Sequence, residues 1–366
     1  MKVTIRLFMM HVLLLMATIS AEAQKIEVVN AEGHAIPLVS VLTQDGTLIG
    51  TTNMNGELAD VKGHAKVALT HVAYKPKLVT IGQTSNRFTM EDIDCGLAEV
   101  VVKPKPYVYK EYYYRGFRYI GDSLRAYSEG VIPAIYDIKK NYKGKTRAIW
   151  SYNTKANKAV SWHGVHILNQ VESWVKNSSV KMPEIWLKEK EAQEKYKASL
   201  VADGPNFWRV ELPTKETTGQ IIHTNGQSLT TLDAARMQMY SNEMHGETKM
   251  LKKRQKNDYT YQYVSVFKLP QEADDDLPDL FRHTMTMHHW EYDSDKGRTI
   301  DIIYIYSTDN GYTDEAQFKA RSKELNKGDA GVYMSFEALK AYAASHNIPA
   351  LDPAQLQAIE ALKKTN

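Results

Sequence analysis

Short runs of β-branched residues, each stopped within a few positions by Gly, Asn or Asp, fill the first hundred residues and restrict what this chain can fold into. From Gln24 to Lys103, KIEVV runs into Asn30-Ala31-Glu32-Gly33, PLVSVLT into Asp45-Gly46, TLIGTT into Asn55-Gly56 and KVALTHVAY into Lys75-Pro76. KLVTI, RFTM and LAEVVV complete the set. Seven or so strands at this spacing predict an all-β sandwich over residues 24–103. Asn55-Gly56 predicts a type I′ turn, whose two central residues both need φ > 0. Beyond the valine run, Pro104 and Pro106 bar continuation into a sheet centre, because each lacks an N–H and fixes φ. Residues 104–110 therefore read as a proline-containing linker.

The segment before the sandwich has Lys2 and Arg6, an apolar run from Leu7 to Met16 broken only by His11, and Ala21-Glu22-Ala23. That pattern predicts a secretory signal peptide over residues 1–23, too short to be a membrane span. Its removal would leave 343 residues, enough for cores that need no covalent staple. The predicted destination is export: the periplasm, association with the outer membrane, or the extracellular space. The single cysteine, Cys95, cannot form an internal disulfide and lies between Asp94 and Gly96, with no cation to favour a thiolate. No later segment approaches the ~20 apolar residues of a spanning helix. A net charge of +3 gives no electrostatic footprint for nucleic acid.

Four ordered motifs carry a family resemblance. Gly33-His34-Ala35-Ile36-Pro37-Leu38-Val39-Ser40-Val41 opens the module, and Thr52-Asn53-Met54-Asn55-Gly56-Glu57-Leu58 forms a hairpin signature. Thr70-His71-Val72-Ala73-Tyr74 ends a strand, and Leu97-Ala98-Glu99-Val100-Val101-Val102 closes the set. Residues 24–103 resemble the carboxypeptidase-regulatory-like domain, a transthyretin-like β-sandwich of exported Bacteroidota proteins. Val39 and Ala73 stand where that family has glycine, and Asn53 where it has aspartate. The resemblance implies a non-catalytic accessory module. In many such proteins the closing strand precedes a TonB-dependent receptor barrel of about 22 strands. The 256 residues after Lys110 are too few for one.

Residues 111–350 read as a second, strand-rich α+β domain, with residues 351–366 as a helical tail. EYYYRGFRYI and LRAYSEGVIPAIYDI flank Gly121-Asp122-Ser123 as a hairpin, and FRHTMTMHHWEY pairs with RTIDIIYIYST around Asp293–Gly297. FWRVEL, GQIIHT and SLTTLDAARMQMY read as further strands, with Asn225-Gly226 a turn, and ETKMLKKRQ is set against YTYQYVSVFKL. IDIIYIY puts Ile300, Ile302 and Tyr304 on one face, Ile303 and Ile305 on the other. Helical spacing over Val160–Val175, the run PEIWLKEKEAQEKYKASL with a Glu191–Lys195 pair, and the stretches Asp314–Asn326, Ser335–His346 and Pro353–Lys364 supply the helices. The tyrosine-rich opening resembles a segment that follows this sandwich in uncharacterised Bacteroidota proteins. By architectural analogy the sheet is an open half-barrel of the lipoprotein-carrier type. The predicted fold class is thus mostly β with some α: a seven-stranded-type sandwich followed by an antiparallel, half-barrel-like α+β domain.

Five local patterns suggest chemistry. On a strand His283, Met285, Met287 and His289 share a face, and imidazole with thioether suits copper(I). Same-face neighbours lie ~6–7 Å apart, so four could not converge on one ion without help from another strand, and sheet packing is the better reading. His163 and His166 lack the i,i+4 spacing and intervening glutamate of a zinc hydrolase. Lys249, Lys252, Lys253, Arg254 and Lys256 suit either anionic lipid head groups or a solvated edge. EADDDLPDL lacks the glycine and terminal glutamate of a calcium loop. Gly121-Asp122-Ser123-Leu124 matches a hydrolase tetrapeptide, but between two strands it is ordinary turn chemistry. The sequence thus assigns no catalytic, cofactor-binding or metal residue. It points to an exported, non-catalytic envelope protein that binds a lipid, glycan or protein partner through residues 111–350. A hydrolase with a non-local active site is the alternative, since triads assemble from distant positions.

Overall fold

The computed structural model describes residues 25–59, 61, 63–82, 86–93, 106–138, 143–146, 150–153, 181–245, 259–270, 279–326 and 332–364. Described strands outweigh helices, and the chain is mostly β with some α. The front module contains β1 (Ile26–Val29), β2 (Ser40–Leu42), β3 (Leu48–Thr51), β4 (Glu57–Leu58), β5 (Lys66–His71), β6 (Tyr74–Thr80) and β7 (Arg87–Thr89). They form two sheets, in the orders β4-β1-β7 and β3-β2-β5-β6. The closing LAEVVV run, Cys95 and Pro104 lie outside the described residues, and the description resumes at Pro106.

Two turns depart from expectation. At Asn55-Gly56 only the glycine has positive φ, +72°, so the turn is not type I′. The Asn53 side chain instead accepts the N–H groups of Asn55 and Glu57, which fixes the chain reversal by a side-chain bond. Lys75-Pro76 is not a turn either: the chain reverses between His71 and Tyr74, and Pro76 lies inside β6. Pro76 falls at the register shift between the Leu69–Lys77 and His71–Tyr74 pairs, a bulge of the kind that accepts a strand proline.

The second sheet is built from β8 (Tyr107–Ile120), β9 (Ser123–Asp137), β10 (Lys143–Thr146), β11 (Trp150–Asn153), β12 (Ser199–Ala202), β13 (Phe207–Glu211), β14 (Thr217–Thr224), β15 (Gln227–Asp233), β16 (Thr260–Lys268), β17 (His283–Ser294), β18 (Gly297–Thr313) and β19 (Val332–Tyr333). Their order is β12-β13-β14-β15-β16-β17-β18-β8-β9-β11-β19, with β10 also on β9. Pairing is antiparallel except between β11 and β19, and the sheet does not close into a barrel. β8 begins at Tyr107, inside the stretch read as linker, and Lys110 is a fully buried strand residue. Both hairpins read from the sequence form, β8–β9 across Gly121 and β17–β18 before Gly297. Asn225 and Gly226, with φ of 47° and 71°, make the β14–β15 turn type I′ in character.

The described helices are α1 (Pro183–Trp186), α2 (Lys190–Tyr196), α3 (Ala234–Met244), α4 (Asp279–Arg282), α5 (Glu315–Asn326), α6 (Phe336–Ser345) and α7 (Pro353–Lys364). SLTTLDAARMQMY is strand only to Asp233, whose carboxylate then caps α3 by accepting the Arg236 N–H at 2.8 Å. The PEIWLKEKEAQEKYKASL run splits into two short helices, and its i,i+4 ion pair is Lys190–Glu194 at 3.7 Å.

Strand alternation gives the large sheet two apolar faces. On one, Tyr113, Phe117, Met285, Met287, Ile302 and Tyr304 join a single core with Val39, Val41 and Leu69 of the sandwich and Leu339 and Ile359 of α6 and α7. On the other, Tyr112, Tyr114, Tyr136, Ile303 and Ile305 pack around Leu280 of α4, while Val210, Ile221 and Leu232 meet Leu187 and Met237. Ile300, Ile302 and Tyr304 therefore share one face and Ile303 and Ile305 the other, as period-2 alternation requires. The sandwich lies on the first face: Leu48 N–H donates to the Asp122 carbonyl at 3.3 Å, and Gln220 Nε2 to the Ala35 carbonyl at 3.3 Å.

Candidate functional site

The His/Met strand fails as a shared face because of one irregularity. Val266 opposes Met285 but Phe267 opposes His283, so Thr284 is an extra residue, a β-bulge. Its hydroxyl donates to the Val266 carbonyl at 2.9 Å. The bulge turns His283 to the helix-covered face, where its ring nitrogens meet Ser307 Oγ at 3.1 Å and Thr286 Oγ1 at 2.7 Å. Met285, Met287 and His289 stay toward the sandwich. His283 and His289 thus lie on opposite sides of the sheet and cannot close on one ion. Among the described residues no group of three or more His, Cys, Asp or Glu side chains could hold a metal.

Ser123 sits in the exposed β8–β9 turn, opposite Ile120. His163, His166, Lys249, Lys252, Lys253, Arg254 and Lys256 lie outside the described residues, as does most of EADDDLPDL. Lys110 of β8 donates its amine to the Leu280 carbonyl and, at 3.0 Å, to that of His283. Burial holds its pKa well below the usual lysine value. Its amine ties α4 to the start of β17.

A polar group joins α1 to the β14–β15 hairpin. One Glu184 carboxylate oxygen accepts the Ser228 hydroxyl and meets His223 Nε2 at 3.1 Å, while the second is buried and unbonded. The Trp208 ring lies 4.5 Å from the imidazole, centroid to centroid. The residue types are those of a hydrolytic triad, but the order is wrong. The carboxylate stands between serine and histidine, so the imidazole does not receive the serine proton, and Ser228 has no exposed surface. The unit orients His223 and leaves Ser228 a buried donor.

At the tip of the same hairpin, a cleft of about 340 Å³ opens between the sandwich and the large sheet. Glu32 and His34, from the turn after β1, form one wall; Asn206, Ile222, His223 and Asn225 form the other, with Leu269 at the end of β16. Three contacts hold the walls in register: His34 stacks on Phe207 at 5.4 Å, Gln220 bonds the Ala35 carbonyl, and Asn225 Nδ2 bonds Asp92. Burial, then the nearby Glu32 charge, raises the Asp92 carboxyl above its ordinary value, while the Asn225 amide pulls it down. Among the described residues no lysine or arginine lines the cleft. The turn signals at Asn30–Gly33 and Asn225-Gly226 were readable, but nothing in the sequence places turns almost 200 residues apart against each other.

No family model, curated protein or solved structure matches the chain. Among the described residues no helix is long and apolar enough to cross a membrane.

Proposed function

We propose that this chain is an exported, non-catalytic binding protein of the cell envelope, and that its ligand seat is the cleft between the sandwich and the β14–β15 hairpin. The observation that carries this reading is the position of the cleft: its walls come from two modules held in register by a ring stack and two side-chain hydrogen bonds. Clefts at module junctions are favoured ligand sites, because such a site is concave and draws polar groups from both sides. On this reading the sandwich, taken as a carboxypeptidase-regulatory-like module, supplies half of the seat through Glu32 and His34. The signal-like residues 1–23 support the exported setting.

The test uses residues 24–366 recovered from a periplasm. Native mass spectra before and after solvent extraction should show a small-molecule adduct on the parent protein, absent from an Asn206→Trp variant whose indole fills the cleft. An adduct that survives in the variant would place binding elsewhere. The hydrolase alternative is weakened by the Glu184-centred order. A fluorophosphonate probe should leave Ser228 unlabelled; stoichiometric labelling there would restore that reading.

A further inference from the structure

We infer that the cleft takes a neutral, polyhydroxylated ligand, one ring of a saccharide; this rests on the cleft being the ligand seat. Charge removes the first alternative. Glu32 lines the site, Asp92 stands behind Asn225, and among the described residues neither lysine nor arginine lines it, so a phosphate, sulfate or carboxylate ligand would find a like charge and no cation to pair with. Donor chemistry removes the second. A bare cation wants acceptors on every side, whereas Asn206 brings an amide with both donor and acceptor ends and the His34 imidazole can donate as well as accept. A hydroxyl donates and accepts at once, and adjacent hydroxyls can donate together to one carboxylate such as Glu32.

Shape agrees with this assignment. The volume of about 340 Å³, that of about eleven waters, admits one sugar ring with room for water or a second ring. Leu269, part-exposed at the end of β16, provides an apolar surface for the C–H face of such a ring, with buried Ile222 beneath the cleft. The walls are fixed before binding: Phe207 backs His34, and Glu184 holds His223. A ligand would therefore find its partners already placed, which lowers the ordering cost of binding.

Methyl-labelled residues 24–366 would be titrated with glucose, galactose, mannose, N-acetylglucosamine and maltose, and separately with spermidine and inorganic phosphate. The Ile222 and Leu269 methyl resonances serve as reporters. The expected result is a saturable shift of both with at least one sugar and with neither ion. Glu32→Gln should weaken that sugar about tenfold, the scale of a lost charge-assisted hydrogen bond, and Asn206→Ala should weaken it similarly. Shifts with spermidine or phosphate and none with sugar would overturn the saccharide assignment while leaving the seat in place. Silence of both methyls toward every probe would sink the seat and the assignment together. A sugar response untouched by either variant would also overturn the assignment.

Discussion

At the residue scale, the molecule is distinguished by polar groups buried within its sheets. Arg118 and Asp301 face each other on adjacent strands, with Nη2 and Oδ2 2.6 Å apart and side chains almost without exposure. A pair this deep is weak evidence of net stabilisation, but removing one partner strands the other. Asp301→Asn should therefore cost about 3–5 kcal/mol, read from urea denaturation; a cost below about 1 kcal/mol would mean that water reaches Arg118. Three further groups set a pH response. Burial lowers the pKa of His71 and His288 to about 3 and that of His289 to about 4. The unfolded chain binds those protons near pH 6.5 while the folded one does not, so their contribution is complete above about pH 6.5 and falls on acidification towards pH 4. Each histidine should remove about 1.4 kcal/mol per pH unit in that window. Glu129 works in the opposite direction, since burial raises its carboxyl despite Arg115, Tyr113 and Tyr127. Urea midpoints from pH 7 to 5 should fall, and fall less steeply in His71→Phe; equal slopes would refute the assignment for His71.

At the element scale, turns and one bulge decide which residues meet. Gly56 and Gly226 both have φ near +70°, yet they should respond differently to alanine. A Cβ at Gly226 would find open space, so Gly226→Ala should cost only the left-handed backbone term, about 1 kcal/mol. A Cβ at Gly56 would lie 2.5 Å from the Val28 carbonyl oxygen and strain the β1 ladder as well, so Gly56→Ala should cost more. Equal losses in denaturation midpoint would show that β1 yields without cost. The hairpins were legible because Gly121, Asn225-Gly226 and the residues before Gly297 carry turn chemistry that few other sequences supply. The Thr284 bulge was not. Period-2 counting assumes an unbroken ladder, and one inserted residue moved His283 to the other side. Leu38 is a similar case. It is buried at φ +64°, held by its own N–H to the Thr52 carbonyl and by Thr52 Oγ1 accepting from Val39 and donating to Ile36. Nothing local in a leucine announces that conformation.

At the scale of the whole molecule, sandwich, sheet and C-terminal helices share one apolar core, so the front module is not a bead on a tether. Arg115 Nη1 bonds the Pro349 carbonyl at 3.0 Å, and Tyr342 bonds Glu111 and Thr308, pinning the segment that leads from α6 to α7. Gly46 of the sandwich lies so near α7 that an added Cβ would overlap the Ala354 carbonyl and approach the Ala358 methyl. Calorimetry of residues 24–366 should accordingly show one cooperative transition. Gly46→Val should lower it, or split it, as α7 is pushed from the sandwich. Two transitions in the parent protein would refute the shared core.

The sequence by itself determined the strand-rich class, the sandwich in front, the long hairpins and the C-terminal helices, because alternation, turn dipeptides and helical spacing act over a few residues. The tertiary structure alone decided that Tyr107–Lys110 is strand, that the helical tail wedges against the sandwich, and that Glu32 and His34 meet Asn206 and Asn225 across a cleft. Those outcomes depend on which apolar face covers which, and burial between segments far apart in the chain leaves no periodic mark on either of them.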